Sequence, residues 1–400
     1  MKYLWILCVV VALTACSSQA IKPLPLTPIK SDVRVVKQWS VNFHHSLSEY
    51  FHQFRLSVDN RAVYAALPHG LVTSLDKKNG KTLWKHQLDS GVSTGVATDE
   101  QHVYVADKRG MLWALAKQNG AVKWSVQLSS EMVVVPSIQY NHLIAQTVDG
   151  TVVSIDTQTG QKRWTYSFSV PELSIWGAGE ARFFGQYIVL GLSNGKVVIL
   201  DLTNGNVQAQ IRVSDAKGIT EIERLVDIDS TPVLIENILY SIGINGHMQA
   251  LNLSTGETLW KKDDKSYLAL THGYGNVYVA ATNSELTAYE QARGGTTWKN
   301  TQLLHRGINA PTIVNAYLMV ADTEGYVHIL AQLDGRIVGR FRASGGRVCL
   351  CTNNKLRGVK KLQQGIESIT TTLVADQNNL YVLADNGSLV MYQLTETKSR

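Results

Sequence analysis

Cysteine is scarce in this chain. Its 400 residues hold four, and two of them, Cys8 and Cys16, fall in the first sixteen. Cys349 and Cys351 are left for the body, so the fold does not rest on a disulfide framework, even in a compartment that permits one. The uncharged, mostly apolar run 3–15 has 13 residues, fewer than the about 20 that a membrane-spanning helix needs. No longer stretch shows helical periodicity, which argues against a helical bundle. There is no haem-attachment motif, and no phosphate-binding loop, Ser/His/Asp constellation or pair of carboxylates rises above chance. The sequence therefore offers no catalytic residue. Acids are missing locally: none lies between Asp334 and Glu367, against eight bases, Arg336, Arg340, Arg342, Arg347, Lys355, Arg357, Lys360 and Lys361. The net charge of +6 belongs to that segment, and without it the remainder is acidic on balance. No nucleic-acid partner is expected.

The N-terminus carries an export pattern. Lys2 and the apolar run behind it suit a secretory signal peptide. The run ends Leu13-Thr14-Ala15-Cys16, which resembles the bacterial lipobox. That resemblance implies that residues 1–15 are removed and that the Cys16 thiol carries a diacylglycerol. A further acyl chain on the freed amine would make attachment firm, since one chain alone binds only marginally. Ser17, where Asp would favour the inner membrane, implies a lipid-anchored place on the periplasmic face of the outer membrane. Residues 16–33, with Pro23, Pro25 and Pro28, are expected to be an extended tether.

The body, residues 34–395, repeats itself. Asn79-Gly80-Lys-Thr-Leu-Trp84 returns with Trp124, Trp164, Trp260 and Trp298 at its end, while Ala209 and Gly339 hold the aromatic position in two further copies. Before each copy comes an earlier turn, at Gly70, Gly110, Gly150, Gly195, Gly246, Ser284, Gly325 and Gly387, flanked by alternating β-branched and aromatic residues. Such spacing spells short antiparallel strands joined by tight hairpins, about 40 residues to a unit. Eight first turns predict an all-β, eight-bladed β-propeller with four-stranded antiparallel blades. The aromatic count agrees only if Trp39 belongs to the last blade, so the N-terminal strand is expected to close the ring. Trp39, Trp84, Trp124, Trp164, Trp260 and Trp298 are expected to pack between blades as structural residues.

The consensus Gly-x-Leu/Val-x-Ala/Ser-Leu-Asp-x-x-x-Gly-x-x-x-Trp is similar to the pyrroloquinoline-quinone repeat, found in quinoprotein dehydrogenases and in noncatalytic lipoproteins. One reading is thus a periplasmic quinoprotein-like or small-ligand-binding propeller using its central funnel. This chain has no adjacent cysteine pair, and it is shorter than those enzymes. A closer resemblance covers the whole chain. The segments 171–177 and 220–232, the string Leu303-Leu304-His305-Arg306 and the string Asp322-Thr323-Glu324-Gly325-Tyr326 are not demanded by a propeller repeat, and with the lipobox and tether they resemble the BamB family. The resemblance implies a noncatalytic scaffold lipoprotein of the β-barrel assembly machinery, without a cofactor beyond the lipid on Cys16. Its implied partners are a periplasmic POTRA domain of BamA and unfolded outer-membrane β-barrel substrates.

Blade spacing marks the expected site. The intervals of 45 and 51 residues between successive first turns carry extra length after the third and fourth aromatic-position strands. Long loops on a rigid scaffold are where binding function collects. The first is apolar, with Leu173, Ile175 and Trp176; the second is charged, with Glu221, Glu223, Arg224, Asp227 and Asp229. An apolar centre beside charges suits a protein interface. The resemblance carries the partner-binding role onto Leu173, Ile175, Asp227 and Asp229, whereas Trp176 departs from the Arg of the family pattern. Neither Asp227-x-Asp229-Ser230 nor His44, His45 and His52 has metal-ligand spacing, so no metal is expected. The basic stretch 342–366 is read as an insertion between blades seven and eight, facing anionic headgroups or an acidic partner, or simply solvent.

Overall fold

The strand Ala62–Ala66 is buried along its whole length, because it has an apolar neighbour on each side. Ala62, Tyr64 and Ala66 pack with Val103, Val105 and Leu115 of the next repeat, and Val63 and Ala65 with Tyr381, Leu383 and Leu389 of the last. Successive side chains of a strand point to opposite faces. A sheet pressed between two others must therefore be apolar on both, which is why these strands read as unbroken apolar runs.

The computed structural model describes residues 21–47, 54–132, 134–171, 179–213, 228, 230–245, 247–343 and 368–396. They form eight four-stranded antiparallel sheets in a ring. Blade one has strands a to d at Ser57–Val58, Ala62–Ala66, Leu71–Asp76 and Thr82–Gln87. Blades two to seven repeat this order, from strand a at Ala97–Thr98, Ser137–Gln139, Arg182–Phe184, Val233–Ile235, Thr271–Gly273 and Thr312–Val314 to strand d at Val122–Gln127, Lys162–Ser167, Val207–Arg212, Thr258–Lys262, Thr296–Asn300 and Ile337–Arg342. Strands a meet one another around the axis and strands d form the rim. Blade eight takes Val374–Asp376, Asn379–Leu383 and Ser388–Glu396 from the C-terminal end and its strand d, Val33–Asn42, from the N-terminal end, with Trp39 opposite Met391. The ring is closed by the N-terminal strand as the aromatic count requires. Closure leaves no sheet edge at a ring opening to invite aggregation. One hydrophobic cluster fills each of the eight seams between blades.

Every strand d carries a one-residue bulge just before the aromatic position, for example between the pairs Ser74↔Trp84 and Leu75↔Thr82. A bulge re-aims the next side chain, and here it turns the indole toward the following blade. Trp39, Trp84, Trp124, Trp164, Trp260 and Trp298 each donate from Nε1 to a carbonyl oxygen in the next c–d turn, those of Lys77, Lys117, Thr157, Leu202, Gln291 and Gln332, at 2.8–3.0 Å. Five of the indoles are 7–8% exposed, and Trp124 is half-buried. Each lies on a turn glycine with positive φ. A Cβ on Gly80 would stand 2.6 Å from Trp39 Cε3, so the turn has to be glycine twice over, for its φ of +70° and for the ring above it.

Residues 21–32 form no regular secondary structure and lie along blade seven. Leu24 N donates to Leu304 O at 3.0 Å and Asp32 N to Val338 O at 2.8 Å. Arg306 Nη1 donates to Leu24 O at 3.0 Å, and Arg340 Nη1 to Thr27 O at 2.9 Å. Ser31 crosses Gly339, where a Cβ would be 3.3 Å from its Oγ. The missing aromatic of blade seven is thereby explained: the tether occupies the place an indole would need.

Candidate partner-binding face

Leu173, Ile175, Trp176, Glu221, Glu223, Arg224, Asp227 and Asp229 lie outside the described residues, as do Cys16, His52 and most of the basic stretch 342–366. What the structure describes is the ground on which the two long loops stand. One loop returns to the fold at Gly179 and enters strand a of blade four at Arg182; the other returns at Ser230 and enters strand a of blade five at Val233. Both returns are at the axial end of a blade, and they touch. Glu180 N donates to Thr231 Oγ1 at 3.1 Å, and Arg182 Nε donates to Pro232 O at 2.9 Å. A Cβ on Gly179 would stand 2.6 Å from Ser230 O, so the two backbones approach as closely as glycine permits. Gln146 Nε2 of blade three holds Gly179 O at 2.9 Å, and Ser230 Oγ donates to Ile242 O at 2.6 Å. Ile228, fully buried, packs against Val189, Val197 and Leu239 and pins the end of the second loop.

Charge gathers at the same place. Glu180 binds Arg55 Nη1 at 2.5 Å through Oε1 and faces Arg182 Nη1 at 3.5 Å through Oε2. Arg55 stands two residues before strand a of blade one, so the first pair bridges the axis from blade one to blade four. Desolvation draws the Arg182 guanidinium below its ordinary pKa, with Glu180 opposing and Arg55 adding to the effect. One carboxylate is shared by two guanidiniums, so this trio of side chains carries a net positive charge.

Sequence reasoning singled out the loops but missed Arg55, Glu180, Arg182 and Thr231, because nothing in a repeat tells which residues cross the axis. It also gave no role to Arg306 and Asp322, although both stand in strings that a propeller does not need. Arg306 is 2% exposed and donates from Nε to Asp322 Oδ2 at 2.7 Å, while Nη2 meets Glu324. His328 Nε2 lies 2.9 Å from Asp322 Oδ2, and Arg340 Nε donates to His328 Nδ1 at 3.1 Å. The second bond requires an acceptor at Nδ1, so the imidazole is neutral with its proton on Nε2. Burial pushes the Asp322 carboxyl up, but His328, the Tyr326 amide and Arg306 together hold it below the usual carboxylate range. These residues serve the tether rather than the loops. His45 stacks on His69 with ring centroids 3.6 Å apart, and no group of three or more metal-ligating side chains occurs among the described residues.

The family model described as outer membrane protein assembly factor BamB matches residues 68–300 and 269–400. The chain belongs to the BamB family. It is 43% identical to the BamB of Pseudomonas aeruginosa over 350 residues, covering 87% of this chain and 92% of that protein. It is 36% identical to the BamB of Legionella pneumophila over 370 residues (92% and 90%) and 31% identical to that of Escherichia coli over 347 (83% and 88%). Among solved structures, the BamB of Moraxella catarrhalis aligns with a TM-score of 0.78 at 24% identity, covering 90% of this chain and all of that one. The quinohemoprotein alcohol dehydrogenase ADHIIG of Pseudomonas putida aligns with a TM-score of 0.66 at 13% identity, over 94% of this chain and 79% of that one, a likeness of fold alone. Between the two readings of the repeat, membership in the BamB family favours the assembly factor over the quinoprotein.

Proposed function

We propose that this protein is a noncatalytic scaffold lipoprotein of the β-barrel assembly machinery. It binds a POTRA domain of BamA through the loops 172–178 and 214–227 and aids the assembly and insertion of β-barrel proteins into the outer membrane. Its relatives are named outer membrane protein assembly factors. Anchoring through a lipid on Cys16 at the periplasmic face, and the lack of any cofactor beyond that lipid, are parts of the same proposal.

The observation that carries the reading is the joint between the loop bases, Glu180 N to Thr231 Oγ1. A binding surface made from two loops needs them held in fixed relation, since each mobile group ordered on association costs affinity. Here both bases are locked to each other and to the axial end of the ring. Leu173, Ile175 and Trp176 would then supply the apolar anchor and Asp227 and Asp229 the charge. Charge reversal at Asp227 and Asp229 is expected to abolish co-purification with BamA from membranes while the circular dichroism stays unchanged. Undiminished co-purification would overturn the assignment.

A further inference from the structure

The ring has seven covalent c–d turns that face an aromatic position on the preceding blade, closed by Gly80, Gly120, Gly160, Gly205, Gly256, Gly294 and Gly335, and six of them seat an indole. The exception is the turn of blade five. Blade four offers Ala209 where the indole should be, opposite Ile199 in the same register that sets Trp84 opposite Ser74. The turn itself has kept the full architecture. Gly256 N donates to Asn252 O at 2.8 Å, Asn252 N donates to Glu257 O at 2.9 Å, and Gly256 has a φ of +74°. Where a Cβ on each of the other six glycines would strike a ring, nothing among the described residues comes within 4 Å of one on Gly256. Gly256 is exposed, whereas Gly80, Gly120, Gly160, Gly294 and Gly335 are buried and Gly205 is half-buried. The carbonyl that would accept the indole N–H is that of Leu253, by its place in the turn, and no described side chain donates to it.

We infer that this vacant seat between blades four and five is a binding site for a tryptophan side chain presented by a partner protein. The six filled copies specify the ligand. They show that a turn of this shape holds an indole flat on the glycine and takes its N–H on the carbonyl one residue after the turn's first. A stretched or missing seat would argue that the position had merely lost its aromatic, but the seat is intact and solvent reaches it. Its location also suits a partner. Ala209 lies on the strand Val207–Arg212, whose far end comes just before the segment 214–227, so the seat is within the about 20 Å length of a strand from where that segment begins. The inference goes beyond the proposed loop interface and stands without it.

The test uses the full chain with N-acetyl-L-tryptophanamide as probe, followed by amide NMR. The expected result is a saturable shift at Asn252, Leu253 and Gly256, lost in Ala209→Trp, which fills the seat from within. The phenylalanine analogue should bind about fivefold more weakly for want of one hydrogen bond. Should Ala209→Trp not fold, Ala209→Phe is the blocking variant. No saturable shift at Gly256 in the native protein, or the same shift in a folded blocked variant, would overturn the inference.

Discussion

Arg306 of blade seven reaches Leu24, 282 positions earlier in the chain, and donates to its carbonyl oxygen at 3.0 Å. With Asp322 on Nε and Glu324 on Nη2, the guanidinium satisfies a buried carboxylate and a passing strand together. The tether is thus clasped to the body at a charged, buried point rather than laid on its surface.

Removing one partner of a buried ion pair costs about 3–5 kcal/mol, because the other charge stays buried. Arg306→Ala is accordingly expected to lose that much unfolding free energy in urea. It should also speed amide exchange at Leu24 well before global unfolding. Unchanged exchange at Leu24 would show that the clasp does not hold the tether.

The turn glycines separate two costs. Gly335 and Gly256 share nearly the same φ, +70° and +74°, but a Cβ on Gly335 would stand 2.3 Å from Trp298 Cε3 and one on Gly256 would meet nothing described. Gly256→Ala should therefore cost only the backbone strain, about 1–2 kcal/mol. Gly335→Ala should cost clearly more, and the excess should vanish on a Trp298→Ala background, which alone costs about 3–5 kcal/mol. Equal losses at the two glycines in thermal unfolding would refute the packing role of the indole.

Gly339 should not tolerate the aromatic of its repeat. Gly339→Trp places an indole where Ser31 crosses, so overpacking of about 1–3 kcal/mol is expected, with faster amide exchange at Asp32 as the tether lifts. A variant as stable as the parent would mean that the tether does not compete for that place.

Stability should fall as the medium is acidified from neutrality. Burial first, then the charges of Arg340 and Arg306, hold His328 below its ordinary 6.5, against the pull of Asp322. The unfolded chain takes up the proton below about 6.5 while the folded chain stays neutral, so stability is full above that pH and is lost as pH drops toward the depressed folded value. His69, His142 and His272, also depressed, add in the same direction. His328→Gln can keep both hydrogen bonds without titrating. It should flatten the dependence of unfolding free energy on pH between about 7.5 and 5.5, and an unchanged slope would count against His328.

The sequence by itself determined the eight blades, their strands and the closing role of Trp39. These follow from rules that act within a few residues: alternation along a strand, glycine at a turn of positive φ, an aromatic at a fixed offset from that turn. The same local pattern exposed Ala209 and Gly339 as departures but could not tell them apart. Only the tertiary structure decided that Ser31 crosses at Gly339 while no described residue fills the seat beside Ala209. It alone joined Glu180 to Thr231 across two loops, Arg55 to Glu180 across the axis and Arg306 to Leu24 across most of the chain. Those contacts have no period. They depend on where closing a ring of eight blades brings side chains that are remote in sequence, and that is a property of the assembled ring rather than of any repeat in it.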